Sequence, residues 1–324
     1  MGSVHWDVDR RSATLWTRCY MLVMRAMRDK TAFEGAEQTL AAARKRQRSG
    51  DRPPTWWTRL TTPVESLAIG EQRAPVWRVR RRARRREEPV ARVVYVHGGG
   101  YVHPLTADYW RLVRALARGG AEVVVPAYPL APDHTVDEGL PWLLEVERST
   151  RPAGDVPTVL MGDSAGGALV IALARELADE PQPPQRVVAL CPWLDATLSQ
   201  PEVTALESSD PMLAESGLRA AGAWWAGDRS PDDPAVSPLN GDLDALPRLD
   251  VYIGDRDILR PAVDDLVRRM RESGGAVHVH ETPAMFHVWM TRAIPEGHRT
   301  RRELAALVAS AGAHAGRSRS ACAG

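Results

Sequence analysis

The chain has 324 residues, 44% hydrophobic and 26% charged, with a formal net charge of +1. That composition suits a globular protein with a sizeable core, and the charge balance argues against a nucleic-acid or membrane-surface binder. Three scattered cysteines, Cys19, Cys191 and Cys322, make neither a disulfide framework nor a Cys-x-x-Cys metal clip.

Apolar residues at helical spacing (Leu15, Cys19, Leu22, Val23, Ala26) predict one or two helices between about 12 and 48. Asp51-Arg52-Pro53-Pro54 breaks that region, and short strands are expected over 64–69 and 75–79. The basic run Arg80-Arg81-Arg82-Ala83-Arg84-Arg85-Arg86 has no interleaved aromatics, so it reads as the solvated tip of a hairpin between 76–79 and 90–96 rather than a nucleic-acid surface. From there strand and helix alternate. Strands are predicted at 90–96, 122–126, 158–161, 186–190, 250–253 and 276–280, with helices at 107–118, 136–148, 165–177, 261–273 and 296–311. The alternation predicts an α/β fold with a mostly parallel central sheet and helices on both faces. Residues 197–227 interrupt it with a helix-like stretch, which would sit over the strand ends as a lid. The expected organisation is an N-terminal helical cap segment over 1–55, a catalytic domain over 56–312 carrying the insertion, and a disordered tail over 313–324. The longest apolar run near the start, 20–24, is too short for a signal segment, and no stretch has membrane-span length, so a reducing cytoplasm is the expected setting.

The chemistry centres on Gly162-Asp163-Ser164-Ala165-Gly166-Gly167, between a predicted strand and a predicted helix. A serine in this Gly-x-Ser-x-Gly corner projects its hydroxyl from a strained turn. Acyl transfer also needs a base, an acid to orient it, and donors for an oxyanion. His287, just past the last predicted strand, is placed where a loop can bring it over Ser164, whereas His278 and His280 alternate within the strand. Asp255 and Asp257 both follow the strand 250–253, and spacing alone does not separate them as the acid. The glycines of His97-Gly98-Gly99-Gly100 leave backbone amides open to a carbonyl oxygen, together with the amide of Ala165. His97 and Asp163 read as structural, and the loop lacks the third glycine of a dinucleotide fingerprint. No cofactor or metal motif is present in the sequence. Trp56, Trp57, Trp224 and Trp225 fall in cap segments, where packing is the ordinary role.

These motifs together resemble the hormone-sensitive-lipase family of α/β-hydrolases, in its bacterial esterase branch. The matching residues include His97–Gly100 with Tyr101, Tyr128-Pro129-Leu130-Ala131-Pro132-Asp133-His134, and Gly162–Gly167. Asp233-Pro234, Val236-Ser237-Pro238-Leu239, Asp257-Ile258-Leu259 and Met285-Phe286-His287-Val288-Trp289 follow in order, so the resemblance spans roughly residues 60–310. It implies an α/β-hydrolase fold with a helical cap, Asp257 as the acid, and Asp255 as a bystander. It further implies oxyanion donors at Gly99, Gly100 and Ala165, with Gly98 in the same loop. The segment Asp257-Ile258-Leu259 departs from the Asp-Pro-Leu form also found in the family, and the arginine run is unusually basic. The expected activity is that of a serine carboxylesterase on short- to medium-chain acyl esters, without cofactor. Rival readings are an amidase-type deacetylase of an N-acetylated metabolite and a catalytically silent ligand receptor. The expected partner is a small-molecule ester; the oligomeric state stays open, a homodimer included.

Overall fold

The computed structural model describes residues 2–70, 74–82, 88–152 and 154–320, with 312–320 described by backbone only. Nine strands make one sheet. In chain order they are β1 (Val4–Val8), β2 (Val64–Leu67), β3 (Val76–Val79), β4 (Arg92–Val96), β5 (Glu122–Pro126), β6 (Thr158–Asp163), β7 (Arg186–Leu190), β8 (Arg248–Gly254) and β9 (Val277–Thr282). Their spatial order is β1-β9-β8-β7-β6-β4-β5-β3-β2. Every neighbouring pair from β1 to β5 is parallel, and β3 and β2 complete the sheet antiparallel. The valine-rich strands β4 to β7 are buried along their whole length, as strands covered by helices on both faces must be.

The helices are α1 (Leu15–Ala26), α2 (Ala36–Ser49), α3 (Trp56–Thr61), α4 (Tyr109–Arg118), α5 (Val136–Ser149), α6 (Ala165–Glu176), α7 (Glu202–Glu207), α8 (Glu215–Ala226), α9 (Arg260–Ser273) and α10 (Pro295–Ser320). No helix among the described residues is long and apolar enough to cross a membrane. The backbone of α10 continues through Ser320, where the sequence suggests a frayed tail from 313; residues 321–324 lie outside the described residues.

Three findings differ from the sequence reading or go beyond it. The hairpin between 76–79 and 90–96 does not form: β3 pairs with β2 and β5, and β5 lies between β3 and β4. The run Val123–Val125 of β5 is apolar on both faces and bonds along both edges, so it takes the inner position. Residues 83–87, with half of the run's arginines, lie outside the described residues, while Arg78 and Arg80 pair with buried Glu122. Second, the apolar stripe of α1 faces outward: Leu15, Trp16, Leu22 and Val23 are each more than half exposed, and Thr17, Met21 and Met24 are the buried side. Thr17 donates its hydroxyl to the Glu296 carboxylate, which anchors α1 on α10 by polarity instead. Third, β1 and α3 carry too little apolar periodicity to be read from sequence, yet β1 extends the sheet and Thr55 caps α3 by accepting from the Thr58 amide at 3.3 Å.

The N-terminal segment and the insertion pack together above the carboxyl ends of the parallel strands. Lys30 donates to the Glu207 carbonyl, and Arg25 Nη2 to that of Ser209 at 3.0 Å. Gly217 of α8 comes so close to the Phe33 carbonyl that an added Cβ would lie 2.1 Å from it. The loops after β4, β6, β8 and β9 open beneath this cover, at the end of an open α/β sheet where ligands bind.

Candidate active site

Ser164 stands between β6 and α6 with φ 53° and ψ −121°, a sparsely populated backbone region. Its turn is locked on both sides: its amide donates to the Leu190 carbonyl at 2.9 Å, and its carbonyl accepts from Trp193 at 3.0 Å. The flanking glycines are required by contact. A Cβ on Gly162 would lie 2.2 Å from the Gly166 carbonyl oxygen, and one on Gly166 2.1 Å from that of Val96. The strand–turn–helix corner therefore closes only with glycine at both positions.

Asp163 is fully buried and accepts three hydrogen bonds, from the Tyr95 hydroxyl (2.6 Å), the Gly98 amide (3.0 Å) and the Tyr109 hydroxyl (3.2 Å). Burial pushes its carboxyl up to about 6 against the pull of these donors. It ties the elbow to the glycine loop, the structural role its position suggests. Because Gly98 spends its amide on Asp163, that glycine has no N–H to offer an oxyanion. Among the described residues no acceptor takes the amides of Gly99, Gly100 or Ala165. Gly99 and Gly100 sit at φ 108° and 62°. His97 is structural too: its ring stacks on Tyr128 at 4.5 Å, and its Nδ1 lies 2.7 Å from the Gly98 carbonyl.

His287 follows β9 and is buried, with Nδ1 2.7 Å from Asp257 Oδ2. A carboxylate only accepts, so Nδ1 carries the proton and Nε2 is left as the basic nitrogen. Asp257 Oδ1 accepts from the Leu259 amide at 3.0 Å, which fixes the carboxylate plane. Asp255 does different work, accepting from the Ala284 amide at 2.6 Å to shape the turn that carries His287. Geometry thus separates the two aspartates that spacing leaves equivalent. Burial is the largest single influence on the His287 pKa and lowers it, but the Asp257 carboxylate together with Asp210 and Asp163 leaves it raised.

Asp210 is the site residue that the sequence reading misses. It lies buried in the insertion, and its carboxylate accepts from Met212 (2.7 Å), Leu213 (3.0 Å) and the Ile258 amide beside Asp257 (3.2 Å). Burial, then the nearby Asp257 charge, pushes it up to about 6. Nothing in Ser209-Asp210-Pro211 announces this, because the partner amide lies 48 residues away along the chain. Cys191, Asp257 and His287 also bring potential metal ligands together. Asp257 is engaged by His287 and Leu259, and burial followed by the Asp257 charge keeps the Cys191 thiol strongly protonated, so the donors suit a hydrogen-bonded relay better than a cation.

A cavity of about 400 Å³ is lined by Ser164, His287, Gly99 and Gly100 from below and by Phe33, Met212, Leu213 and Leu218 from the cover. Arg46, His103, Asp108 and Arg292 add polar groups at its wall.

The sequence profile described as alpha/beta hydrolase fold matches residues 93–291. The chain is similar to an acetyl-hydrolase of Streptomyces hygroscopicus, 29% identical over 64% of this chain and 71% of that one. It is also similar to an esterase of Acinetobacter venetianus, 30% identical over 62% and 70% of the respective chains. The solved structure of an esterase from the bacterial hormone-sensitive lipase family superposes with a TM-score of 0.77 at 24% identity, covering 92% of this chain and 99% of that one. The chain belongs to the esterase and acetyl-hydrolase family of the α/β-hydrolase fold, in agreement with the hormone-sensitive-lipase resemblance of its motifs.

Proposed function

We propose that the protein is a serine carboxylesterase acting on short- to medium-chain acyl esters, with Ser164, His287 and Asp257 as its catalytic triad. The observation that carries this reading is the buried His287–Asp257 hydrogen bond, which leaves a basic Nε2 on the histidine at a cavity that Ser164 also lines. In acylation, Nε2 takes the proton of Ser164 as its oxygen attacks the ester carbonyl carbon, and Asp257 stabilises the imidazolium that forms. The carbonyl oxygen becomes an oxyanion held by the amides of Gly99, Gly100 and Ala165. Each such donor is worth roughly 3–4 kcal/mol in the transition state. Collapse expels the alkoxide, which His287 protonates. Water deprotonated by His287 then releases the acid and restores Ser164.

The cavity is at the small end of ligand sites, about 300–1,000 Å³, which supports a modest acyl group. The acetyl-hydrolase name of one relative, and a solved relative soaked with p-nitrophenyl butyrate (TM-score 0.78, 22% identity, covering 93% of this chain and 100% of that one), point the same way. The test is a panel of p-nitrophenyl esters of increasing acyl length beside matched anilides and N-acetyl amines. The proposal expects kcat/KM to peak at short or medium acyl chains and esters to be far better than amides. A preference for N-acetyl amines would transfer the site to the deacetylase reading, and a maximum at long chains would contradict the acyl range.

A further inference from the structure

A second group of side chains lies away from the cavity, on one face of the sheet where β1, β9 and β8 run side by side. His278 and His280 are two residues apart on β9 and so share a face. Register sets His5 and Asp7 of β1 opposite them on one side and Asp250 of β8 opposite His278 on the other. The ligand atoms of Asp250, His278 and His280 all lie within 4.8 Å of one another. His280 Nε2 is 3.5 Å from Asp250 Oδ1, and His278 Nε2 is 2.8 Å from Asp7 Oδ2.

Three features make this more than a chance grouping of polar residues. Asp250 is fully buried, and its Oδ2 finds no hydrogen bond among the described residues, although Arg186 Nη1 stands 3.5 Å and Arg248 Nε 3.8 Å from it. Those cations balance the outer oxygen and leave Oδ1 directed at His280, much as outer-shell partners orient a ligating carboxylate. Tyr252 stacks on the His280 ring at 4.4 Å and 16°, which fixes its plane. The 3.5 Å spacing is long for a hydrogen bond, yet close to the roughly 3.3 Å that separates two ligands of a tetrahedral ion with bonds of about 2.0–2.1 Å.

We propose that His278, His280 and Asp250 form a binding site for a divalent transition cation of the Zn²⁺ class, with Asp7 as an outer partner that orients His278 through its hydrogen bond. Nitrogen and carboxylate donors in this number suit zinc, whereas magnesium and calcium prefer all-oxygen shells. The ion bonds β9 to β8, and β1 joins it through the hydrogen bond of Asp7 to His278. Asp250 lies toward the start of β8, whereas Asp257 follows its end, so the cation takes no part in ester hydrolysis.

The experiment uses the full chain without an affinity tag, stripped of metal and titrated with Zn²⁺ by calorimetry and with Co²⁺ by visible absorption. One Zn²⁺ per chain with micromolar or tighter affinity, tetrahedral Co²⁺ bands and a melting temperature raised by Zn²⁺ are expected. H278A/H280A should weaken binding at least about a hundredfold and D7N about tenfold, while H298A, an exposed histidine elsewhere, leaves it unchanged. Retained ester hydrolysis in each variant shows that it has folded. Millimolar or weaker binding by the parent protein, or equal binding by H278A/H280A, overturns the site. Loss of binding in H298A as well would reduce it to general surface histidine affinity and overturn it equally.

Discussion

His287 and Asp257 meet at 2.7 Å, both buried, and on the proposed mechanism that contact sets the pH behaviour of the protein. The base works only when neutral. Because the facing carboxylate raises its pKa overall, the rate climbs with pH through a value above that of an ordinary histidine. The acid limb of the kcat/KM profile is therefore expected above about 6.5. Asp257→Asn removes the main raising influence, so the limb should move to lower pH while kcat falls on the order of a thousandfold or more. Asp255→Asn should cost far less, since its carboxylate serves the Ala284 amide and not the imidazole. Equal losses in the two variants, measured on one ester, would refute the division of labour between them. Asp210→Asn should also shift the limb downward, by less than Asp257→Asn, because Asp210 acts on His287 as a weaker second charge.

At the scale of elements, the corner between β6 and α6 has no slack. Gly166→Ala places a methyl 2.1 Å from the Val96 carbonyl and 2.6 Å from that of His97, both backbone atoms that cannot swing aside. A loss of at least about 1–3 kcal/mol is expected, read by calorimetry as a lower melting temperature. Trp225 of α8 is fully buried and stacks on Tyr101 at 4.8 Å and 2°, which joins the insertion to the glycine loop. Trp225→Ala should cost roughly 3–5 kcal/mol, whereas Trp56→Ala should be nearly neutral because Trp56 is 64% exposed. A neutral Trp225→Ala would contradict the docking of the insertion through that ring.

The same contrast explains what the sequence can convey. The elbow and the alternating core were legible because glycines at fixed offsets and runs such as Val123–Val125 report local geometry and burial directly. The order of the strands was not, since β3 bonds to β5 across an intervening stretch with no local signature. Apolar spacing in α1 reveals a helix but not its inward side, because Thr17 and Glu296 anchor it by a polar contact. Asp210 stayed hidden for the same reason, its role residing in a distant amide. The number of free amides in the glycine loop likewise depends on Asp163 claiming Gly98, a contact between segments 65 residues apart.

Across the whole molecule, one mostly parallel sheet brings residues from four separated loops to the carboxyl ends of its strands. The glycine loop leaves β4, Ser164 leaves β6, Asp257 leaves β8 and His287 leaves β9. Helices packed on both faces hold those strand ends in register, so the site is positioned by the core and closed from above by segments distant in sequence. The cover supplies Phe33, Met212, Leu213 and Leu218 to the cavity wall, so the proposed function divides acyl selection, assigned to the cap, from bond cleavage, assigned to the sheet. On that division, Leu218→Ala should widen the cavity and move the best acyl length upward in the ester panel without abolishing turnover. An unchanged chain-length profile would locate acyl selection elsewhere.

The most direct measurement is p-nitrophenyl butyrate hydrolysis by Ser164→Ala, compared with the parent protein at equal concentration and with matching circular dichroism. The account predicts a fall of at least a thousandfold in kcat in a protein that remains folded. Turnover near that of the parent would mean that Ser164 is not the nucleophile.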